Sequence, residues 1–307
     1  MAMAAQSDIV AQRDRLLIAT AAAWMRGAYA LKASREYRRS VAQLERLRKS
    51  VKAREKSGFS SAADVNAVDA RIASLRRELA NLDEIATKAQ VEVDMLTAGR
   101  VKLTEELPSD AAIGAYGDTD LVRMAVERNP LLQSAVHASN AATHDSRAAR
   151  LDYMPKLRMN GEYNSRGRYG DVSPRDDMTI GVRLTVPIFR PSQIATISEK
   201  KELADAAYWQ ARDVEKSVIM QLRMLLRERD AAAQKRRQAA QEAAELERLV
   251  GSLEARYREG FASIDELLNQ QIALARVRAQ AVEVRTQQLY TEFQILVFAG
   301  LADQQAG

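Results

Sequence analysis

Cysteine is absent, which excludes disulfides, thiolate metal sites and a lipid-modified N-terminal Cys. Proline and glycine are scarce, with 6 and 13 among 307 residues. So few helix breakers argue against a compact α/β enzyme and leave room for long helices. Histidine occurs only at His137 and His144. They share one predicted helix, no third ligand accompanies them, and no metal site is expected. No apolar stretch reaches the roughly 18 residues that a membrane-crossing helix needs. The start, Met1 to Arg15, lacks the basic, apolar, small-residue order of a signal peptide. Nor is charge of one sign concentrated: 46 Lys and Arg against 41 Asp and Glu leave a net charge of +5. The short cluster Lys235-Arg236-Arg237 reads as a solvated helix face, not a nucleic-acid stripe. Gly-rich phosphate loops and nucleophile motifs are missing too, so neither catalysis nor a cofactor is expected.

What the chain does contain is alanine, leucine, arginine, glutamate and glutamine, all strong helix formers. It also contains an internal repeat. Shifted by 202 positions, residues 42–76 align with 244–278 without a gap, and 13 of 35 positions are identical. Leu44-Glu45-Arg46-Leu47 falls on Leu246-Glu247-Arg248-Leu249. Gly58-Phe59 falls on Gly260-Phe261, Ser61 on Ser263, and Asp64 on the similar Glu266. Apolar residues step by three and four along 200–257: Val214, Val218, Leu222, Leu225, Leu226, then Leu246, Leu249, Val250, Leu253. That spacing predicts a coiled-coil-like helix, about 80 Å long for some 55 residues. Gly260-Phe261-Ala262-Ser263 interrupts it. Ser263 with Glu266 has the capping-box spacing, and Ser61 with Asp64 repeats it. Each copy therefore reads as a long helical hairpin.

Between the copies the pattern changes. Residues 101–118, with Pro108, Gly114 and Gly117, read as a linker. A helix is predicted over 119–154, passing Asn129-Pro130 and ending before Pro155. Then the period falls to two. Leu157, Met159, Gly161 and Tyr163 alternate with polar neighbours, as do Ile180, Val182, Leu184 and Val186. The alternation predicts a β-hairpin over 156–186, with a polar turn at 165–177. Each run has the length of a tilted membrane strand. A soluble hairpin packed on a helix fits the alternation equally well; the setting between very long helices favours the barrel. A second helical hairpin is predicted over 195–300, so the first repeat occupies 1–100 and the second 119–307.

Taken together, the chain resembles the TolC family of outer-membrane efflux and secretion channels. Carrying the resemblance are the duplicated hairpin with its Gly-Phe break, Glu127-Arg128-Asn129-Pro130-Leu131, Tyr153-Met154-Pro155-Lys156-Leu157, and Val186-Pro187-Ile188-Phe189. It implies a mainly α fold, with long antiparallel coiled-coil hairpins in two repeats and one β-hairpin contributing to a trimeric outer-membrane barrel. It implies a homotrimer in the outer-membrane lipid, with a periplasmic helical tunnel that meets an adaptor protein and an inner-membrane pump. The pore would be a passive conduit of a tripartite efflux pump or type I secretion system. It further implies that Asp64 and Tyr257 pair between helices in the closed state, and that Glu266 and Asn269 form constricting rings near the helix-tip turns Gly58, Phe59, Gly260 and Phe261. Capping alone is the plainer role for Glu266 and Asp64. Ala262 stands where some relatives carry an arginine that ties the gate.

Family members supply two strand pairs per protomer. One pair from each of three protomers gives six strands, fewer than the about eight that a filled barrel needs. The sequence is therefore expected to lack an N-terminal strand pair and leader. The competing reading is a soluble or periplasmic coiled-coil scaffold or adaptor, or a non-functional truncated relative. Adaptors usually flank a single hairpin with small β-rich modules, which this sequence does not suggest.

Overall fold

A glycine with positive φ closes each of the longest helices. Helix α1 (Ala2–Lys56) stops at Gly58, φ +77, and α5 (Pro191–Glu259) stops at Gly260, φ +86. Both turns are Schellman motifs. In the first, Phe59 N–H donates to Arg54 O (2.9 Å) and Gly58 N–H to Glu55 O (3.0 Å). In the second, Phe261 N–H donates to Arg256 O (2.8 Å) and Gly260 N–H to Tyr257 O (3.1 Å). The left-handed position is where glycine costs least, so the repeated Gly-Phe dictates a repeated turn. These details come from a computed structural model that describes residues 2–108, 116–165 and 176–301.

Each turn leads into a capped helix. Before α2 (Ala62–Thr97), Ser61 Oγ accepts from Asp64 N–H (3.2 Å) and Asp64 Oδ2 accepts from Ser61 N–H (2.8 Å). That is the complete capping box the spacing predicts. Before α6 (Ile264–Phe298), Ser263 Oγ accepts from Glu266 N–H at 3.1 Å. Two backbone donors are satisfied reciprocally in the first copy and one by a side chain in the second. Ser61→Ala and Ser263→Ala each remove one hydroxyl acceptor and should each lower unfolding free energy by about 0.5–2 kcal/mol. Asp64→Ala removes the reciprocal acceptor of the first copy and should cost more than Glu266→Ala in the second. Chemical denaturation of the four variants checks this; a Glu266→Ala loss as large as that of Asp64→Ala would refute the asymmetry.

The core repeats as well. Val51 and Leu253, Val65 and Leu267, Ile72 and Leu274, and Leu75 and Val277 are equivalent across the repeat, and all are buried. Residues of α1, α2, α5 and α6 share this one cluster. The ion pairs on its flank repeat too: Arg76 pairs with Glu45, and Arg278 with Glu247. Such exposed pairs add little stability; their value is as a marker of equivalent geometry.

The predicted helix over 119–154 is broken. Helix α3 (Asp118–Arg128) ends at Asn129, whose φ −62 and ψ 121 are extended, and α4 (Pro130–Asp152) starts afresh. The proline ring disfavours helical geometry in the residue before it. Asn129 is held at the break by its Nδ2, which donates to Phe298 O at 3.2 Å. Residues 101–108, predicted as part of a linker, are strapped to the first hairpin. Trp24 Nε1 donates to Lys102 O (3.3 Å), and Leu103 N–H to Gln90 Oε1 (3.0 Å). An extended segment must still find partners for its backbone groups. Gly114 lies outside the described residues.

Strands β1 (Lys156–Ser165) and β2 (Asp176–Thr185) pair antiparallel in a two-stranded sheet. Most of the predicted turn, 166–175, lies outside the described residues. Helix α5 begins at Pro191, earlier than the predicted 195. Its fixed φ and missing N–H make proline a natural first residue. The chain divides into two compact units: Met1–Ser7 with Leu131–Glu215, and Asp8–Pro130 with Lys216–Gly307. No helix among the described residues is long and apolar enough to cross a membrane.

Candidate functional site

Schellman turns usually fold the residue after the glycine back onto the helix. Here Phe59 and Phe261 do not fold back. They are 76% and 73% exposed. Two apolar rings are thus held out at equivalent turns, largely uncovered among the described residues.

Behind those turns the helices are tied by polar contacts. Tyr257 is buried. The Arg54 guanidinium lies 5.3 Å from its ring centroid, and Arg54 Nη1 donates to Arg258 O at 2.9 Å. The Tyr257 hydroxyl is 3.4 Å from Ser60 Oγ. Asp64, half-buried, is engaged in its capping box. Asp64 and Tyr257 are therefore partnered separately, each by a serine beside the turn. Arg54 escaped the sequence reading, although its repeat equivalent Arg256 is identical and marks the position. Deeper along the first hairpin, Arg48 forms a two-bond pair with Asp69, and this hydrogen bonding holds the Asp69 carboxyl below its ordinary range.

Glu266 and Asn269 are both exposed on the first turns of α6. Asn269 Oδ1 accepts from Arg71 Nη2 at 2.8 Å, which links α2 to α6. Arg71 too was missed, because nothing local marks a partner on a helix so distant in sequence. Continuing along α6, Arg276, Gln280, Glu283 and Gln287 are exposed at steps of three, four or seven residues. They prolong one polar stripe on a helix whose other sides are largely buried.

The β-hairpin has two unlike faces. On one, Leu157 opposes Leu184, Met159 opposes Val182, Gly161 opposes Ile180, and Tyr163 opposes Met178. Every side chain on that face is open to solvent, from 61% at Ile180 to 79% at Met159. The soluble-hairpin reading requires a helix to cover this face, and none does among the described residues. On the other face Lys156 opposes Thr185, Arg158 opposes Arg183, Asn160 opposes Gly181 and Glu162 opposes Thr179. His137 and His144 lie on α4, and no cluster of metal-ligating side chains forms among the described residues.

Comparison with known proteins narrows what such an assembly is. No curated protein matches the chain. The outer-membrane channel OprN superposes with a TM-score of 0.81 at 17% identity, covering 97% of this chain and 68% of that one. The CmeC outer membrane channel of Campylobacter jejuni gives 0.76 at 14% identity, covering 98% and 65%. The MtrE outer membrane channel of Neisseria gonorrhoeae, in its open state, gives 0.76 at 17%, covering 99% and 70%. At such identities the likeness is one of fold. Residues 121–300, more than half of the 307, match the family model described as outer membrane efflux protein, and the chain belongs to that family.

Proposed function

We propose that this chain is a subunit of a homotrimeric outer-membrane channel, a passive conduit that works with a periplasmic adaptor and an inner-membrane pump. The observation that carries the reading is the uncovered apolar face of the β-hairpin. Burying apolar surface is worth about 25 cal/mol per Å², and lipid offers that burial without a protein partner. Among the described residues the sheet has only these two strands, so both hairpin edges carry backbone groups that neighbouring strands would satisfy inside a bilayer. The exposed Phe59 and Phe261 suit a protein partner docking at the helix turns. The polar stripe on α6 suits a water-filled passage, with Asp64 and Tyr257 near its closing end. Outer-membrane fractionation and an unheated gel test the proposal: a detergent-resistant trimer supports it, and a soluble monomer overturns it.

Glu266 and Asn269 are the constricting positions in this reading. Threefold symmetry would set three Glu266 carboxylates around one axis, a ring that favours cations. Glu266→Gln is expected to shift the reversal potential in a salt gradient away from cation preference in single-channel recordings. An unchanged potential would remove Glu266 from the filter and leave it as a helix-start residue.

A further inference from the structure

The strand register sets Arg158 directly opposite Arg183 on the polar face of the hairpin. Directly opposed residues have their Cβ atoms about 5 Å apart, and like charges so placed destabilise a sheet. Something should offset that cost, yet neither guanidinium has a carboxylate partner among the described residues. Lys156, the next basic group on this face, is already paired with Asp152 at 2.8 Å. Glu162 stands two register steps away and accepts from Asn164 Nδ2 at 3.1 Å. Both arginines are exposed. Beside them Gly181 has no side chain, and the Asn160 amide lies over it. The result is two guanidinium groups carried by directly opposed residues on one face, with the Asn160 amide on the neighbouring register position.

We propose that Arg158 and Arg183 form an anion-binding site that takes a phosphate, sulfate or carboxylate group. Guanidinium forks match the oxygens of such groups two at a time, and the bonds are charge-assisted. The reading rests on the channel proposal, in which this polar face lines the barrel and the occupant is an acidic group on a passing solute. In a trimer the pair would recur around the lumen as a positive belt. Its charge preference would be the opposite of that of the carboxylate ring proposed at Glu266.

The test uses the full chain in planar bilayers, as wild type, R158Q/R183Q and R158K/R183K. Inorganic phosphate and phenyl phosphate are the probes, the first a free anion and the second an acidic group on an organic solute. Wild-type current is expected to fall as either probe is added. The glutamine pair should raise the midpoint of that block at least tenfold and move the reversal potential toward cations. The lysine pair, which keeps both charges but loses the forks, should hold the reversal potential and weaken the block only partly. Stronger block by phenyl phosphate assigns the site to carried solutes; equal block assigns it to the acidic group alone. Equal midpoints in wild type and either double variant would overturn the site while leaving the channel intact. Absence of conductance from the wild type would instead overturn the channel reading and the site with it.

Discussion

Val182→Arg is expected to remove the chain from the outer membrane. Val182 is 66% exposed, opposes Met159, and lies on the apolar face of β2. In a lipid-facing strand an arginine near the bilayer midplane costs about 2–4 kcal/mol. A threefold assembly repeats that cost in every subunit, for about 6–12 kcal/mol in all. Such a loss is comparable to the whole stability of a typical domain. The control is Thr179→Arg on the same strand, which faces Glu162 on the polar side. Because neighbouring residues in a strand point to opposite faces, that arginine should be tolerated. Membrane fractionation and the yield of detergent-resistant oligomer read both variants. Normal integration of Val182→Arg, or equal damage from Thr179→Arg, would mean that lipid does not cover this face.

The same alternation shows why some of the fold was legible in the sequence. Gly58-Phe59 and Gly260-Phe261, the serine caps and the period-two strands are local chemistry, and local chemistry is written in adjacent residues. The repeat amplified it, since a turn predicted once was predicted twice in one frame. What went unread was of two kinds. One was a signal present and passed over: Pro130 marks the end of α3, and its effect on Asn129 is a backbone rule. The other had no local signal. Arg54 reaches a carbonyl on α5 and Arg71 reaches Asn269 on α6, and both contacts join the two repeats. Long flexible side chains choose such partners only after the helices have packed. The strap at 101–108 is similar, since Gln90 and Trp24 hold it through contacts that composition does not reveal. At the candidate gate, the serines that engage Asp64 and Tyr257 within one protomer, Ser61 and Ser60, stand beside the first turn, and only the Ser61 partner follows from the capping spacing.

Leu267→Ala is the second substitution with a large expected effect, and it separates packing from docking. Leu267 has no exposed surface and belongs to the core shared by α1, α2, α5 and α6. Truncating a fully buried leucine removes its transfer energy and leaves a cavity, together about 2–5 kcal/mol. Its repeat equivalent Val65 is smaller and 9% exposed, so Val65→Ala should cost less, on the same mechanism. Phe261 lies six residues before Leu267 in the sequence and has the opposite character, at 73% exposure. Phe261→Ala should leave stability within about 0.5 kcal/mol, as exposed substitutions do, and weaken only the proposed capture of a partner protein at the helix turn. Denaturant unfolding followed by helical circular dichroism gives the three stabilities. A Leu267→Ala loss no larger than that of Phe261→Ala would mean that the four helices do not share one core. The proposed ring of Glu266 side chains would then lack the rigid support that a constriction needs.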